Sequence, residues 1–104
     1  MTLRSNGKPL RYQVSYSGVI SKVIDELRYQ AYLTGQLEQF DAAWRSIIER
    51  LRSDPWSFGE FVRSFPHLQL KLHVGSVYPL TVRFGIHEKL PLVIIAKVIF
   101  VSPS

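Results

Sequence analysis

The sequence predicts an α+β domain made of an N-terminal strand, an antiparallel helical hairpin and a three-stranded antiparallel meander. Two consecutive stretches repeat apolar residues at helical spacing, and three later stretches alternate apolar and polar residues. A helix pair and a sheet bury their apolar surfaces against each other, so we expect the helices to pack on one face of the sheet. At 104 residues the chain has room for a single core, so residues 1–104 are predicted to form one domain.

The first strand and the first helix are predicted between Arg11 and Gly35. RYQVSYS, residues 11–17, alternates well enough for a strand, and Ser17 can then cap a helix. Gly35 ends this helix, because glycine readily adopts the left-handed conformation found after a helix C-terminus. The apolar positions of the helix recur at helical spacing and are Ile20, Val23, Ile24, Leu27 and Ala31.

The second helix is predicted over residues 37–51, and its connection to the first is short enough for an antiparallel hairpin. Pro55 stops it, because proline lacks an N–H and disfavours the helical conformation of the residue before it. SDPWSFGEFVR, residues 53–63, then places aromatic bulk where proline and glycine indicate a turn. We expect the aromatic residues here to close the end of the layer between helices and sheet. They are Trp56, Phe58, Phe61 and Phe65.

Three further strands are predicted, HLQLKLHV at 67–74, YPLTVRFGIHE at 78–88 and PLVIIAKVIFVSP at 91–103. The GSVYP segment between the first two is typical of a hairpin connection. The last strand is the most apolar and is therefore expected inside the sheet. The inward positions are assigned to Leu68, Leu70, Leu72, Val74, Leu80, Val82, Phe84 and Ile86. The outward positions are assigned to His67, Gln69, Lys71, His73, Thr81, Arg83, Gly85 and His87.

The formal net charge is +5, and the positive excess lies toward the two ends of the chain. A basic surface attracts polyanions, nucleic acid above all, although a basic face that is merely solvated is an equal alternative. The chain has no cysteine, no secretory signal and no apolar stretch of membrane-spanning length. We therefore expect a cytoplasmic protein without a membrane partner. Residues 1–11 are expected to form either a flexible basic arm or an extension of the first strand.

The helix end LRSDPWSFGE and the strands YPLTVRFGIHEKLPLVIIAKVI resemble the RelE/ParE toxin superfamily, over about residues 12–101. Members show a proline and a glycine after the second helix, an alternating antiparallel hairpin and a very apolar last strand. The resemblance implies a RelE-like fold and a plasmid-stabilisation-type toxin, held inactive by an antitoxin that is a separate chain. RelE-like members cleave messenger RNA, typically on the ribosome and without a metal. ParE-like members act on DNA gyrase, and some relatives have lost toxicity.

Metal-independent RNA cleavage needs a base for the 2′-OH, an acid for the leaving oxygen and cations for the developing phosphate charge. RelE-like enzymes carry basic groups on the strand after the helices, which corresponds here to Lys71 and His73. His73 and His87 can serve as base and acid near neutral pH, and Arg83 can hold phosphate with its planar fork. These four residues are the candidate catalytic residues, expected together on the sheet face away from the helices.

The chain also departs from the RelE pattern. RelE-like nucleases usually carry an arginine near the start of the next strand, where this chain has Leu80 or Thr81, and a basic and aromatic tail, where it has VSPS. Three functions therefore remain open. They are an endoribonuclease with a rearranged site, a ParE-like gyrase inhibitor, and a non-toxic relative that binds nucleic acid or a partner protein. No cofactor is indicated. A metal is not indicated either, because His67 and His73 are about 20 Å apart by strand rise and no carboxylate lies at ligand spacing.

Overall fold

A computed structural model describes residues 11–101 of the chain. The N-terminal arm predicted at 1–11, apart from Arg11, and the end of the last predicted strand lie outside that range. The described chain forms two helices and a five-stranded mixed sheet, so the α+β class is confirmed. The strands are β1 (Gln13–Ser15), β2 (Glu60–Phe65), β3 (Leu70–Val77), β4 (Leu80–His87) and β5 (Leu92–Phe100), and the helices are α1 (Gly18–Leu33) and α2 (Leu37–Ser53).

Both predicted helices are confirmed, and local signals in the sequence explain their ends. The side chain of Ser17 accepts a hydrogen bond from the N–H of Ile20 at 3.2 Å, which caps α1. Gly35, between the helices, has a φ of +74°, a left-handed conformation that glycine adopts without steric strain. After α2, Asp54 is outside the helical region, with φ −158° and ψ 74°, and Pro55 begins a short 3-10 turn, so the chain leaves the helix where the proline predicts.

The sheet has the strand order β1-β5-β4-β3-β2. β1 runs parallel to β5, and every other neighbouring pair is antiparallel. The predicted number of strands is wrong by one. The additional strand is β2, which lies between α2 and β3 in the sequence and forms one edge of the sheet. The alternation pattern in the sequence does not reveal β2, because the strand contains a bulge. Phe61 pairs with His73 and Arg63 pairs with Leu72, so Val62 is an extra residue without a partner in β3. A bulge interrupts the two-residue alternation by which a strand is recognised.

The helices cover one face of the sheet, and the core lies between the two layers. β4 supplies the centre of this core, with Leu80, Val82, Phe84 and Ile86 all buried as predicted. The helix and β5 residues that complete it are Ile24, Ala31, Phe40, Ala43, Ile47, Leu51, Val93, Ile95 and Val98. The opposite face of the sheet, called the open face below, has no helix on it in the described part of the chain. Neither described helix is long and apolar enough to cross a membrane.

Phe58 closes the end of the layer where the chain passes from α2 into the sheet, as predicted. Its ring is 2% exposed and stacks on Phe84, with ring centroids 5.6 Å apart and ring planes inclined by 14°. The guanidinium carbon of Arg50 lies 4.7 Å from the centroid of the Phe58 ring. Gly75 makes the space for this ring, because a Cβ at Gly75 would lie 2.6 Å from it.

The other aromatic residues of this segment have different positions. The Nε1 of Trp56 donates a hydrogen bond to the hydroxyl of Tyr12 at 3.0 Å, which joins the turn to the start of β1. Phe61 lies in β2 and remains 55% exposed. Phe65 pairs with Leu70 on the open face. The expectation that all four aromatic residues close the layer is therefore wrong for Phe61 and Phe65, because β2 carries them past that end.

We expect Gly75→Ala to lower the free energy of unfolding by about 1–3 kcal/mol, because the added methyl group displaces the Phe58 ring from Phe84. The measurement is chemical denaturation of both proteins. Gly18→Ala is the matched control, because nothing lies within 4 Å of a Cβ there. Equal losses in the two variants would contradict this account of the glycine.

An ion pair between Arg28 and Asp41 joins the two helices. The guanidinium nitrogens of Arg28 lie 2.9 Å from both carboxylate oxygens of Asp41, and these hydrogen bonds hold the pKa of Asp41 below its ordinary value. A depressed carboxyl pKa stabilises the fold above the unfolded pKa, and this stabilisation is lost as the pH falls through the folded pKa. The pair is partly exposed, so we expect Arg28→Gln to lose only a small part of the stability near pH 7.

Denaturation of wild type and Arg28→Gln across pH tests this prediction. The two stabilities should converge as the pH falls below about 4, the ordinary range of an aspartate. Lys22→Gln removes one positive charge from the same helix and serves as the control. A loss in Arg28→Gln that persists unchanged in acid would show that the ion pair is not its cause.

Candidate functional site

The four candidate catalytic residues lie on both faces of the sheet. In the ladder between β3 and β4, Lys71 pairs with Ile86 and His73 pairs with Phe84. Directly paired residues project from the same face. Since Ile86 and Phe84 are fully buried under the helices, Lys71 and His73 belong to the helix-covered face. The expectation that they are outward residues is wrong.

Arg83 and His87 are on the open face, as expected. Arg83 pairs with Val74 and His87 pairs with Leu70, so the apolar residues of β3 that were assigned to the core share this face with them. The sheet therefore separates Lys71 and His73 from Arg83 and His87, and the four do not form one constellation.

The assignment of faces failed because both sides of β3 carry apolar neighbours. The helix side holds the aromatic cluster around His73, and the open side holds leucines. Alternation gives the spacing of a strand but not which side is buried. The strand also starts later than predicted, because Pro66–Leu68 form a 3-10 turn and Gln69 has a φ of +56°. His67 consequently lies in that turn and not in the strand.

His73 is enclosed by aromatic rings. It is 5% exposed and stacks on Phe84, with centroids 5.7 Å apart. Trp56 and Phe61 each meet its ring edge to face at 5.7 Å. Its Nδ1 lies 3.2 Å from the carbonyl oxygen of Lys71, and because a carbonyl oxygen can only accept, Nδ1 is the donor. In this position the imidazole is part of the packing and is not presented to an RNA strand.

Lys71 already has partners of its own. Its Nζ donates to the hydroxyl of Ser64 at 3.0 Å and lies 3.9 Å from a carboxylate oxygen of Glu88. The ammonium is also 5.7 Å from the centroid of the Phe61 ring. These contacts hold the lysine over the edge strand β2, where it balances the charge of Glu88.

His87 holds the turn that follows β4. Its Nδ1 accepts hydrogen bonds from the backbone N–H of Lys89 at 3.1 Å and of Leu90 at 2.9 Å. The neutral ring therefore carries its proton on Nε2. Neither nitrogen can take up a substrate proton unless the turn contacts break or the proton moves.

Arg83 has a second cation beside it. It pairs directly with Lys97 of β5, and both side chains are exposed. Neither forms an ion pair with any residue between 11 and 101. Like charges directly opposite each other in a sheet repel. An anionic group bound beside Arg83 and Lys97 would reduce the repulsion between them.

A bulge brings Lys97 to this position. Consecutive pairs join Arg83 to Lys97 and Phe84 to Ile95, so Ala96 is an extra residue in β5. Ala96 and Lys97 are both exposed, whereas Ile95 and Val98 on either side are buried. Lys97 was missed as a candidate, although a sign of it is present in the sequence. A lysine within an apolar run that breaks the two-residue period indicates a bulge.

An apolar depression of about 140 Å³ lies next to this pair on the open face. We call it the open-face groove. It is lined by Phe65, Leu68, Leu70, Leu72, Gly85, Ile94 and Ala96. Gly85 is the next position of β4 after Arg83 that faces the open side, and it pairs with Leu72 on one neighbouring strand and Ile94 on the other. The absence of a side chain at Gly85 leaves a hollow between the neighbouring strands.

The charges around the groove are predominantly positive. Arg63 pairs with Leu72 at one side of it, and Arg83 and Lys97 lie one outward position further along the strands. Glu60 is an acid on this face, where it pairs with Val74 on the edge strand. Glu60 forms no ion pair with the described arginines or lysines. No cluster of three metal-binding side chains occurs among residues 11–101.

No family model, curated protein or solved structure matches the chain.

We expect Lys97→Glu to raise the free energy of unfolding by about 0.5 kcal/mol, because it replaces a repulsive cross-strand pair with an attractive one. Lys97→Gln removes the repulsion without adding attraction and should give a smaller gain. Thermal and chemical denaturation at low salt measure both, and the gains should shrink in high salt. Unchanged or lowered stability in Lys97→Glu would show that the two cations do not repel each other in the folded protein.

Proposed function

We propose that the chain is a toxin-like protein of the RelE/ParE type and that it acts by binding a protein rather than by cleaving RNA. The observation that carries the proposal is the separation of the candidate catalytic residues onto two faces of the sheet. A general base and a general acid have to reach one phosphodiester within hydrogen-bond distance. The positions of the two histidines on opposite faces do not meet that requirement.

The fold supports the first part of this proposal. A helix pair covering one face of a sheet, with antiparallel strands running on to the end of the described chain, agrees with the resemblance in the sequence. Fold alone does not determine activity, so the choice between actions rests on the residues. His73 is packed among rings and His87 holds a turn, which favours binding over catalysis.

The partners follow from the same proposal. As a toxin-like protein the chain would be held inactive by an antitoxin, a separate protein, and would work in the cytoplasm. As a ParE-like protein it would inhibit DNA gyrase. A related protein that has lost toxicity would keep the first partner and lack the second.

A second candidate is the RNA endonuclease of the sequence analysis, with a rearranged site. The adjacent, exposed cations Arg83 and Lys97 favour it, because two neighbouring positive charges can hold a phosphate. Such a site would use Arg83 and His87 on the open face and would not use His73. It would also need His87 to release the backbone N–H groups of the turn.

Induced expression in a bacterial host tests the proposal. We expect growth arrest with intact messenger RNA ends and with DNA damage that a gyrase inhibitor of this kind produces. Arg83→Gln/His87→Gln is expressed in parallel, and Lys22→Gln/Arg45→Gln is a control with exposed basic residues changed on the helices.

New RNA ends that disappear in Arg83→Gln/His87→Gln but persist in the control would overturn the binding mechanism in favour of RNA cleavage. Normal growth at full expression would overturn toxic action altogether. The variant proteins are checked for folding by circular dichroism, since His87 also holds the turn after β4.

A further inference from the structure

We propose that the open-face groove is a docking site for an acidic amphipathic helix of a partner protein. The proposal rests on the proposed function in one respect, that the protein acts by binding another protein. It adds where the partner binds and what chemistry the partner carries. The structural basis is the apolar groove beside two cations that have no counter-ion within residues 11–101.

The groove supplies the apolar part of the site. Ile94, on a sheet face that no described helix covers, is 36% exposed, and Leu68, which lines the groove from the turn before β3, is 57% exposed. A sheet face with apolar residues is normally buried under another layer, and a helix is one of the elements that can form that layer. Gly85 lines the floor of the groove, and a Cβ added there would already be in van der Waals contact with Leu70 at 3.5 Å. The apolar tip of a partner side chain would therefore pack over Gly85 and against Leu70.

The cations specify the charge of the partner. Arg83 and Lys97 face each other across two strands, and bringing carboxylates beside them replaces repulsion with attraction. Arg63 adds positive charge on the other side of Leu72. Glu60 is a negative charge on this face. It lies on the edge strand β2, two strands away from Arg83 in β4. An acidic partner is therefore favoured over a basic one.

The spacing fits a helix. Gly85 and Arg83 are successive outward positions of β4, which are about 7 Å apart along a strand. Residues four apart on a helix are separated by about 6 Å along its axis and share one side. A leucine that enters the groove therefore places an acidic residue four positions away close to Arg83 and Lys97.

Nucleic acid fits this face less well. The groove is lined by aliphatic side chains, with Phe65 its one aromatic residue. Single-stranded nucleic acid binds through bases stacked on aromatic rings together with a row of cations along the backbone. The exposed aromatic residues Trp56 and Phe61 cluster with His73, which belongs to the helix-covered face. The stacked and exposed rings of Tyr29 and Tyr32 are on α1 and not on this face.

The test uses a synthetic, fluorescein-labelled helical peptide of about twelve residues, with leucines along one side and a glutamate four positions from each leucine. One control peptide has lysine for every glutamate, and another has serine for every leucine. Fluorescence anisotropy with the full chain at low salt measures binding. We expect the acidic peptide to bind roughly tenfold more tightly than either control.

Two protein variants assign the binding to this face. Arg83→Gln/Lys97→Gln should weaken binding of the acidic peptide by roughly fivefold or more. Lys22→Gln/Arg45→Gln has the same net charge as Arg83→Gln/Lys97→Gln, but its two substitutions are on α1 and α2. It should leave binding within about twofold of wild type. Ala96→Glu places a carboxylate at the exposed rim of the groove and should abolish binding of the acidic peptide while the protein stays folded.

Four results would overturn the proposal. These are the absence of binding, equal binding of the acidic and basic peptides, full binding by Arg83→Gln/Lys97→Gln, and tighter binding of a single-stranded RNA that is lost in this variant. Self-association of the chain that Ala96→Glu abolishes would assign the face to a second copy instead. The experiment is separate from the expression test, so RNA cleavage in cells would reject the proposed function without deciding whether the peptide binds.

Discussion

The stack of Phe58 on Phe84 is the contact on which the layering of this molecule depends. The chain leaves α2 at Pro55, and within three residues the Phe58 ring is buried against the central strand. This anchors the end of the helix layer to the sheet at the place where the chain crosses from one to the other. The crossing needs Gly75 under the ring, and Gly59 in a left-handed conformation directly after it. The short turn after α2 thereby holds the end of the helix layer against the sheet.

One-sided covering gives the two faces of the sheet opposite characters. On the covered face, polar groups such as Lys71 and His73 are satisfied by near neighbours and join the packing. On the open face, Arg83 and Lys97 meet without a counter-ion in the described chain, beside aliphatic side chains. Lys71 and His73, two of the four candidate catalytic residues, are thus engaged in packing and hydrogen bonds. The open face keeps unbalanced positive charge beside exposed apolar side chains, and this combination is the basis of the docking site proposed above.

The sequence was sufficient for the helices and for the inward side of β4, because periodicity, a serine cap, a glycine and a proline all agree there. It was insufficient for β2, where Val62 bulges out of the alternation. It also misplaced β3, since Leu70 and Leu72 look like core residues and His73 looks like a surface residue. That pattern is inverted because rings from the Pro55–Phe61 segment enclose the imidazole. Contacts between distant segments decided the face, and alternation within one strand carries no information about them.

The site prediction was limited by the same missing information. Arg83 could be placed on the open face from β4 alone, but its partner Lys97 depends on an irregularity in another strand. The role of His87 depends on two backbone N–H groups in the following turn. Such roles become visible only when the register of neighbouring strands and the path of the turn are known.

The bulge at Ala96 has a consequence for how this chain can change in length. Without Ala96, β5 would alternate regularly, and Val93, Ile95, Val98 and Phe100 would all still project to the same side. The strand thus contains one residue, Ala96, that the packing of the core does not require. Loss of Ile94, which lies between the buried residues Val93 and Ile95, would instead reverse one end of the strand. Among related sequences, insertions and deletions in β5 should concentrate at this single point, where length can vary without disturbing the interior.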